Sequence, residues 1–184
     1  MKILVLGSKG QLGQCLNDQL AITEHDVVYT SRGQIDIAEI EVTKAQMLEI
    51  SPDIVINATA YTAVDKAEEE PELANLINSQ AVGVVAKFAS EGKIPFVHIS
   101  TDYVFDGTAT SPYLENEKVN PKSVYGSSKA LGEKETIENN SSAYILRTAW
   151  VYGEYGNNFP KVIAKKLKNN VMESGVQTDY YSYG

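Results

Sequence analysis

Cysteine is almost absent. Cys15 stands alone among 184 residues, so no disulfide can close within the chain and no zinc site built on several cysteines can form. That usage fits a reducing compartment, and a cytoplasmic location is expected. Basic charge is also scarce: 16 Lys and Arg face 24 Asp and Glu, a net charge of −8. Such a balance opposes non-specific binding to nucleic acid and docking on anionic membranes, both of which run on basic charge. Neither partner is expected; the balance still leaves room for a local basic pocket that takes an anionic small molecule. Long apolar runs are missing as well. The opening run Ile3-Leu-Val-Leu6 stops after four residues, short of the about 7–15 of a secretory signal and the about 18 of a membrane span. Internal repeats and low-complexity tracts are lacking.

What remains is an ordinary globular composition, 43 % apolar and 22 % charged. At this length roughly 70 % of the unfolded surface can be buried, enough for a core without covalent support.

Short apolar runs alternate with helical patterns. Strands are predicted at 2–6, 26–30, 53–57, 94–99 and 143–147. Helices are predicted at 11–20, from Thr43-Lys-Ala-Gln46 (read as a capping box), from Pro71 to about Ser90, from Ser123 to Glu138, and from Asn157 to Lys168. Strand–helix alternation implies an α/β fold, a doubly wound parallel sheet of Rossmann type. Residues 107–122 read as a long loop, a length that is often functional. Residues 1–168 are expected to form the nucleotide-binding domain, and 169–184 an irregular tail.

Between the first strand and the first helix lies Gly7-Ser-Lys9-Gly10-Gln11-Leu12-Gly13. The first glycine permits a tight turn, the second lets backbone approach a pyrophosphate, and the third lets helix and strand pack closely. The helix N-terminus adds free N–H groups and a positive dipole end. The spacing is G-x-x-G-x-x-G, so its weight comes from the strand before and the helix after. The second strand runs out into Ser31-Arg32 with no acid to hold a ribose 2′-hydroxyl. Arg32 and Ser31 could meet a 2′-phosphate instead, which favours NADP(H) over NAD(H); the plain alternative is a solvated loop arginine.

Tyr125 and Lys129, four apart, fall on one face of a predicted helix. A free tyrosine has a pKa near ~10, too high for efficient proton transfer at neutral pH. An adjacent ammonium would lower it. Tyr125 could then serve as a general acid toward a carbonyl oxygen. Ser100-Thr-Asp-Tyr-Val-Phe-Asp-Gly107 follows the fourth strand, at the carboxyl end where open parallel sheets bind ligands. Thr101 could hydrogen-bond a reacting oxygen and Asp102 could orient it, or the tract could be a turn held by its own side chains.

These tracts resemble the extended short-chain dehydrogenase/reductases and, among them, the dTDP-4-dehydrorhamnose reductases. The likeness rests on Gly7–Gly13, on Asn57-Ala-Thr-Ala-Tyr-Thr-Ala-Val-Asp-Lys-Ala-Glu-Glu-Glu70, on His98–Gly107, on Tyr125–Lys129 and on Arg147-Thr-Ala-Trp-Val-Tyr-Gly-Glu-Tyr-Gly-Asn-Asn-Phe159. It implies an NADPH-dependent enzyme that reduces the C4 carbonyl of dTDP-4-dehydro-6-deoxy-L-mannose to give dTDP-L-rhamnose. Thr101, Tyr125 and Lys129 would form the catalytic set, with Lys129 also holding the nicotinamide ribose. Ala58, Ala60 and Tyr61 would line the cofactor, and an adenine contact usually made by aspartate would fall to Glu41. Tyr103, Phe105, Trp150 and Asn157 would lie near the sugar nucleotide. The family runs to nearly 300 residues with a smaller C-terminal substrate domain, which is expected to be largely missing here. It sometimes carries Mg2+ between subunits, but nothing in the sequence localises an ion, and the chain is expected to be a monomer or homodimer. Two other functions fit the same motifs: a non-catalytic NADP-binding regulatory subunit, and a sugar-nucleotide epimerase or dehydratase.

Three further features carry no function at this level. His98 reads as a structural histidine inside a strand, Cys15 as a small core residue, and Glu68-Glu-Glu70 as a solvated helix start favoured by the dipole.

Overall fold

The computed structural model describes residues 1–168. Five parallel strands form one sheet: β1 (Lys2–Leu6), β2 (Asp26–Thr30), β3 (Ile54–Asn57), β4 (Phe96–Thr101) and β5 (Tyr144–Thr148), in the spatial order β2-β1-β3-β4-β5. The apolar, β-branched runs read as strands because the sheet buries them on both faces: Ile3, Leu4, Val5 and Leu6 of β1 are all buried. The order reverses direction between β1 and β3, and parallel sheets of this kind open a crevice for ligands at such a switch point.

Helix α1 (Gln11–Leu20) links β1 to β2, α2 (Ile40–Ile50) links β2 to β3, and α6 (Val124–Asn139) links β4 to β5. Between β3 and β4 the chain makes α3 (Val64–Ala67), α4 (Pro71–Asn75), a π-helical turn (Leu76–Gln80) and α5 (Ala81–Glu91). Right-handed crossovers put α1 on one face and α2, α5 and α6 on the other, where α5 packs against both α2 and α6. The core on that face joins Leu4, Leu6, Val55 and Phe96 of the sheet to Met47 of α2 and Val82, Val85 and Ala89 of α5. On the α1 face, the stretch after β5 folds back: Asn158 Nδ2 donates to Gln11 Oε1 at 3.0 Å and the Tyr155 hydroxyl to Asp18 at 2.6 Å. Helix α7 (Phe159–Lys168) follows.

Several expectations shift. Helix α2 starts at Ile40, so Thr43 lies inside it rather than capping it, and its hydroxyl donates to the Asp36 carbonyl at 3.0 Å. The helix expected from Pro71 to Ser90 contains a π-turn, because the Asn78 side chain is drawn in to serve a neighbouring loop. Helix α7 begins at Phe159, two residues later than expected, because Asn158 is turned inward onto Gln11. Glu70 is more than a solvated helix-start acid: it accepts from the Tyr61 hydroxyl at 2.7 Å and pairs with Lys66 at 2.8 Å. Glu68 accepts from the Val124 amide at 2.9 Å, tying α3 to the start of α6. The expected tail, 169–184, lies outside the described residues.

Candidate active site

Two of the glycines are fixed by what surrounds them. Gly7 sits at φ +87°, and a Cβ there would also lie 2.8 Å from the Ala58 backbone. Gly13, in the first turns of α1, passes so close that a Cβ would stand 2.3 Å from the Gly7 carbonyl oxygen. The loop after β1 therefore folds under the start of α1 and against the end of β3. Between the two strand ends lies a cleft of roughly 250 Å³, at the switch point of the sheet.

Gly7, Lys9 and Gly10 line this cleft from β1; Ser31, Arg32, Ile35, Asp36 and Ile37 from beyond β2; Ala58, Thr59, Ala60 and Tyr61 from β3; and Ile77 closes it from the π-turn. Buried Ile35, Ile37 and half-buried Ala58 make an apolar floor, while Lys9 and Arg32 bring cationic side chains to its rim. Ser31 is buried, with its hydroxyl donating to Gln34 Oε1 at 2.9 Å. The Arg32 Nε donates to Asp36 at 2.9 Å, and that contact holds the guanidinium pKa up and, with the Ala38 amide, the Asp36 carboxyl pKa down.

Glu41 is not part of the lining. It lies in the first turn of α2, where the dipole favours an acid, exposed and paired with Lys44 at 3.2 Å. The acid at the cleft is Asp36, five residues earlier. No sequence pattern pointed to it, because the stretch 31–39 makes irregular turns rather than a strand or helix. Gln11, Leu12 and Gly13 also lie outside the lining: Gly13 packs on Gly7, and Gln11 faces Asn158. Thr59 and Ile77 line the cleft and were missed; Thr59 stands between Ala58 and Ala60, which the family likeness did mark.

At the carboxyl end of β4, Thr101 is buried and caps a short 3-10 turn (Asp102–Val104) by accepting from the Tyr103 amide at 3.2 Å. Its hydroxyl donates to Asp102 Oδ1 at 3.0 Å. Ser123 caps α6 by accepting from the Gly126 amide at 3.0 Å, so Tyr125 sits in the first turn, aimed at β4. The Tyr125 ring meets Tyr103 edge-on, with centroids 5.5 Å apart. Burial raises the Tyr125 pKa, and the Thr101 hydroxyl beside it acts the other way.

Lys129 departs from expectation. Its side chain is fully buried, and its amine donates to the Ile99 carbonyl at 2.6 Å and contacts His98 Nε2 at 3.3 Å. Burial pulls its pKa down to about 8, partly offset by Glu133. The amine thus turns to the β4 backbone, and the forces on Tyr125 are burial, Thr101, Asp102 and Tyr103 rather than a neighbouring ammonium.

The loop after Thr101 is built on Asp106. That carboxylate accepts from the Thr108 amide and hydroxyl, the Tyr113 hydroxyl and Asn120 Nδ2, at 2.8 to 3.1 Å. Those donors hold its pKa far below the usual carboxylate range. Phe105 is stacked on Tyr113, centroids 4.1 Å apart, and lies 4.9 Å from the Arg147 guanidinium. Arg147 in turn donates twice to buried Glu133, at 2.9 and 2.7 Å. Trp150 adopts φ +52°, uncommon for a bulky residue, with its ring edge-on to Phe159. Asn157 is exposed, and the asparagine built into the fold is Asn158. Among the described residues, no three His, Cys, Asp or Glu side chains are gathered to hold a metal ion, and no helix is long and apolar enough to cross a membrane.

Comparison with known proteins gives a consistent result. The family model described as the RmlD substrate binding domain matches residues 1–180. A dTDP-4-dehydrorhamnose reductase of Burkholderia thailandensis is 42 % identical over 168 residues, which is 91 % of this chain and 56 % of that protein. The crystal structure of a dTDP-4-dehydrorhamnose reductase from Clostridium acetobutylicum is 42 % identical with a TM-score of 0.89, over 92 % of this chain and 60 % of that one. That of the Bacillus anthracis reductase, in complex with NADP, is 38 % identical with a TM-score of 0.88, over 91 % and 60 %. The chain therefore spans less than two thirds of the length of these relatives.

Proposed function

Since the chain belongs to the RmlD substrate binding domain family, we propose that residues 1–168 are the NADP-binding domain of a reductase that converts dTDP-4-dehydro-6-deoxy-L-mannose to dTDP-L-rhamnose. The observation that carries this reading is the placing of Tyr125 beside buried Thr101 at the carboxyl end of β4, in the same sheet whose switch point opens the glycine-turn cleft.

The cleft suits a dinucleotide. Close backbone at Gly7 and Gly10, with the α1 N-terminus behind, suits the pyrophosphate. Ile35 and Ile37 give an apolar seat for a base, Asp36 an acceptor, and Arg32 with Lys9 a counter-charge for a 2′-phosphate. That charge favours NADP(H), with NAD(H) the weaker ligand. A reduced nicotinamide, when bound, supplies the hydride for the C4 carbonyl carbon.

This chain's residues then handle the oxygen. Tyr125 stays protonated at neutral pH because burial favours the neutral phenol. It gives that proton to the carbonyl oxygen as the oxygen gains charge, and Thr101 holds the same oxygen by a hydrogen bond. Without a ligand the Thr101 hydroxyl donates to Asp102, and it turns from that carboxylate to the substrate oxygen when the sugar binds. Lys129 spends one N–H on Ile99 and keeps donor capacity for the nicotinamide ribose. Tyr103, Phe105 and Trp150 offer aromatic surface to the sugar nucleotide.

The test is oxidation of NADPH by the chain, with dTDP-4-dehydro-6-deoxy-L-mannose supplied and loss of reduced-nicotinamide absorbance followed. Substrate-dependent oxidation supports the reading. Binding of NADPH without oxidation would leave a cofactor-binding domain and remove the claim of catalysis for this chain.

A further inference from the structure

Behind the site, a line of buried polar groups crosses the sheet from β3 to α6. Asn57, His98 and Lys129 are each at most 1 % exposed. Asn57 Oδ1 accepts from the Thr59 amide at 3.0 Å and from the Thr59 hydroxyl at 2.5 Å. Asn57 Nδ2 lies 3.3 Å from His98 Nδ1, and His98 Nε2 lies 3.3 Å from Lys129 Nζ. The Lys129 amine also donates to the Ile99 carbonyl at 2.6 Å.

Donor and acceptor counting fixes the protons. A backbone amide can only donate, so the Asn57 atom facing Thr59 is the oxygen and the atom facing His98 is the NH2 group. His98 Nδ1 must then accept. A neutral imidazole carries one N–H, which therefore sits on Nε2 and points at Lys129. An ammonium has no lone pair to receive it. Were Lys129 charged, both ring nitrogens would face donors, and one of two buried contacts would be lost at a cost that buried donors rarely bear.

We propose that Asn57 and His98 are positioning residues for Lys129: Asn57 holds the His98 ring as its Nε2–H tautomer, and that N–H favours the neutral form of the Lys129 amine and aims it along β4. The surrounding charges are compatible with this. On α6, Glu133 is occupied by Arg147 of β5 and by the Ser100 hydroxyl of β4. Tyr125 turns to Thr101, with Asp102 and Tyr103 beside it on the 3-10 turn. The π-turn Leu76–Gln80 brings no ionisable group, and Lys87 and Glu91 of α5 lie on its exposed face. Burial independently lowers the His98 and Lys129 pKa values. The inference concerns the ligand-free chain and does not depend on which sugar is reduced.

The test is nitrogen-15 NMR of the full chain, with the His98 signals separated from those of His25 by a His25→Gln variant. Above the Lys129 midpoint, at about pH 9.5, the expected spectrum shows Nε2 protonated and Nδ1 bare. Carbon-13 detection at the Lys129 ε-carbon, assigned against Lys129→Met, is expected to show titration near pH 8. In His98→Gln the amide carbonyl can turn to the lysine and accept from an ammonium, so the midpoint should rise by one unit or more, a tenfold change in proton affinity. An Nδ1–H tautomer in the unaltered chain, a Lys129 still charged at pH 10, or an unmoved midpoint in folded His98→Gln would each overturn the proposal. The first needs no variant of the relay itself, and the second only Lys129→Met for its assignment, so a His98→Gln chain that fails to fold leaves the test standing.

Discussion

Tyr125 and Lys129 lie one turn apart on α6, yet their polar ends meet different neighbours: the phenol faces Thr101, and the amine bonds the Ile99 carbonyl and meets His98. The pair is thus two arrangements, a phenol at the carboxyl end of β4 and an amine built into the sheet.

Removing the acid should leave the cleft untouched. Tyr125→Phe is expected to lower turnover by roughly 10²–10⁴-fold, the usual worth of general acid catalysis, with NADPH affinity within about twofold of the parent. Steady-state rates beside a fluorescence titration of NADPH check both parts. Unchanged turnover would refute the acid role.

The buried amine predicts a pH dependence of stability. The Lys129 pKa is about 8 in the folded chain against 10.5 in the unfolded one. Between those values the unfolded chain binds the extra proton. Stability from this group is therefore present above the unfolded value and lost as pH falls from about 10.5 to about 8, on the order of 3 kcal/mol in all. Urea midpoints across that range, taken for the parent and for Lys129→Met, should show the parent gaining on the variant as pH rises. Parallel curves would contradict the assignment.

Arg32 should govern the choice of nucleotide. With its guanidinium at the rim, Arg32→Ala is expected to weaken NADPH by roughly tenfold, the worth of one charge-assisted contact, and to change NADH by less than twofold. Equal losses for the two nucleotides would remove Arg32 from the 2′-phosphate. Titrations with both cofactors at fixed salt make the comparison.

Gly13 and Gly33 offer a matched pair. A Cβ at Gly13 meets backbone at 2.3 Å, whereas one at Gly33 meets nothing within 4 Å. Gly13→Ala gains about 1 kcal/mol of helix propensity, but the clash is with backbone that cannot swing aside. A net loss of about 1–3 kcal/mol and weaker nucleotide binding are expected, with Gly33→Ala near neutral. Chemical denaturation of both variants decides it.

The ion pair between Glu133 and Arg147 should matter to the fold. Glu133 is 4 % exposed and also receives the Ser100 hydroxyl at 2.6 Å. Glu133→Ala leaves a part-buried guanidinium and a buried hydroxyl without their acceptor, and a loss of about 3 kcal/mol is expected. A shift in the urea midpoint with an unchanged slope is the signature.

The strand and helix plan was legible because its signal is periodic and local. Ile3–Leu6 and Ile54–Asn57 could be nothing other than buried strands once glycine and turn residues bounded them. The glycine turn was legible for the same reason, since Gly7 and Gly13 answer to backbone geometry. Asp36 was not, because an irregular segment of turns has no period to align, and Glu41 nearby carries the same charge. The direction of the Lys129 amine was not legible either. Helical spacing fixes which face a side chain leaves from, but a four-carbon stem lets His98 and Ile99, both distant in sequence, decide where it ends.

The Asp106 hub bears on how a ligand would be met. With four hydrogen bonds converging on one carboxylate, and Phe105 clamped between Tyr113 and Arg147, the wall after β4 has already surrendered its conformational freedom. On the proposed function, a sugar nucleotide arriving against Phe105 would meet a template rather than a lid. Association then carries little of the ordering entropy, about 0.5–1.5 kcal/mol per side chain, that a loose loop would add. Cutting one tether, as in Asn120→Ala, would return that ordering entropy to the step of association while leaving Phe105 itself unaltered.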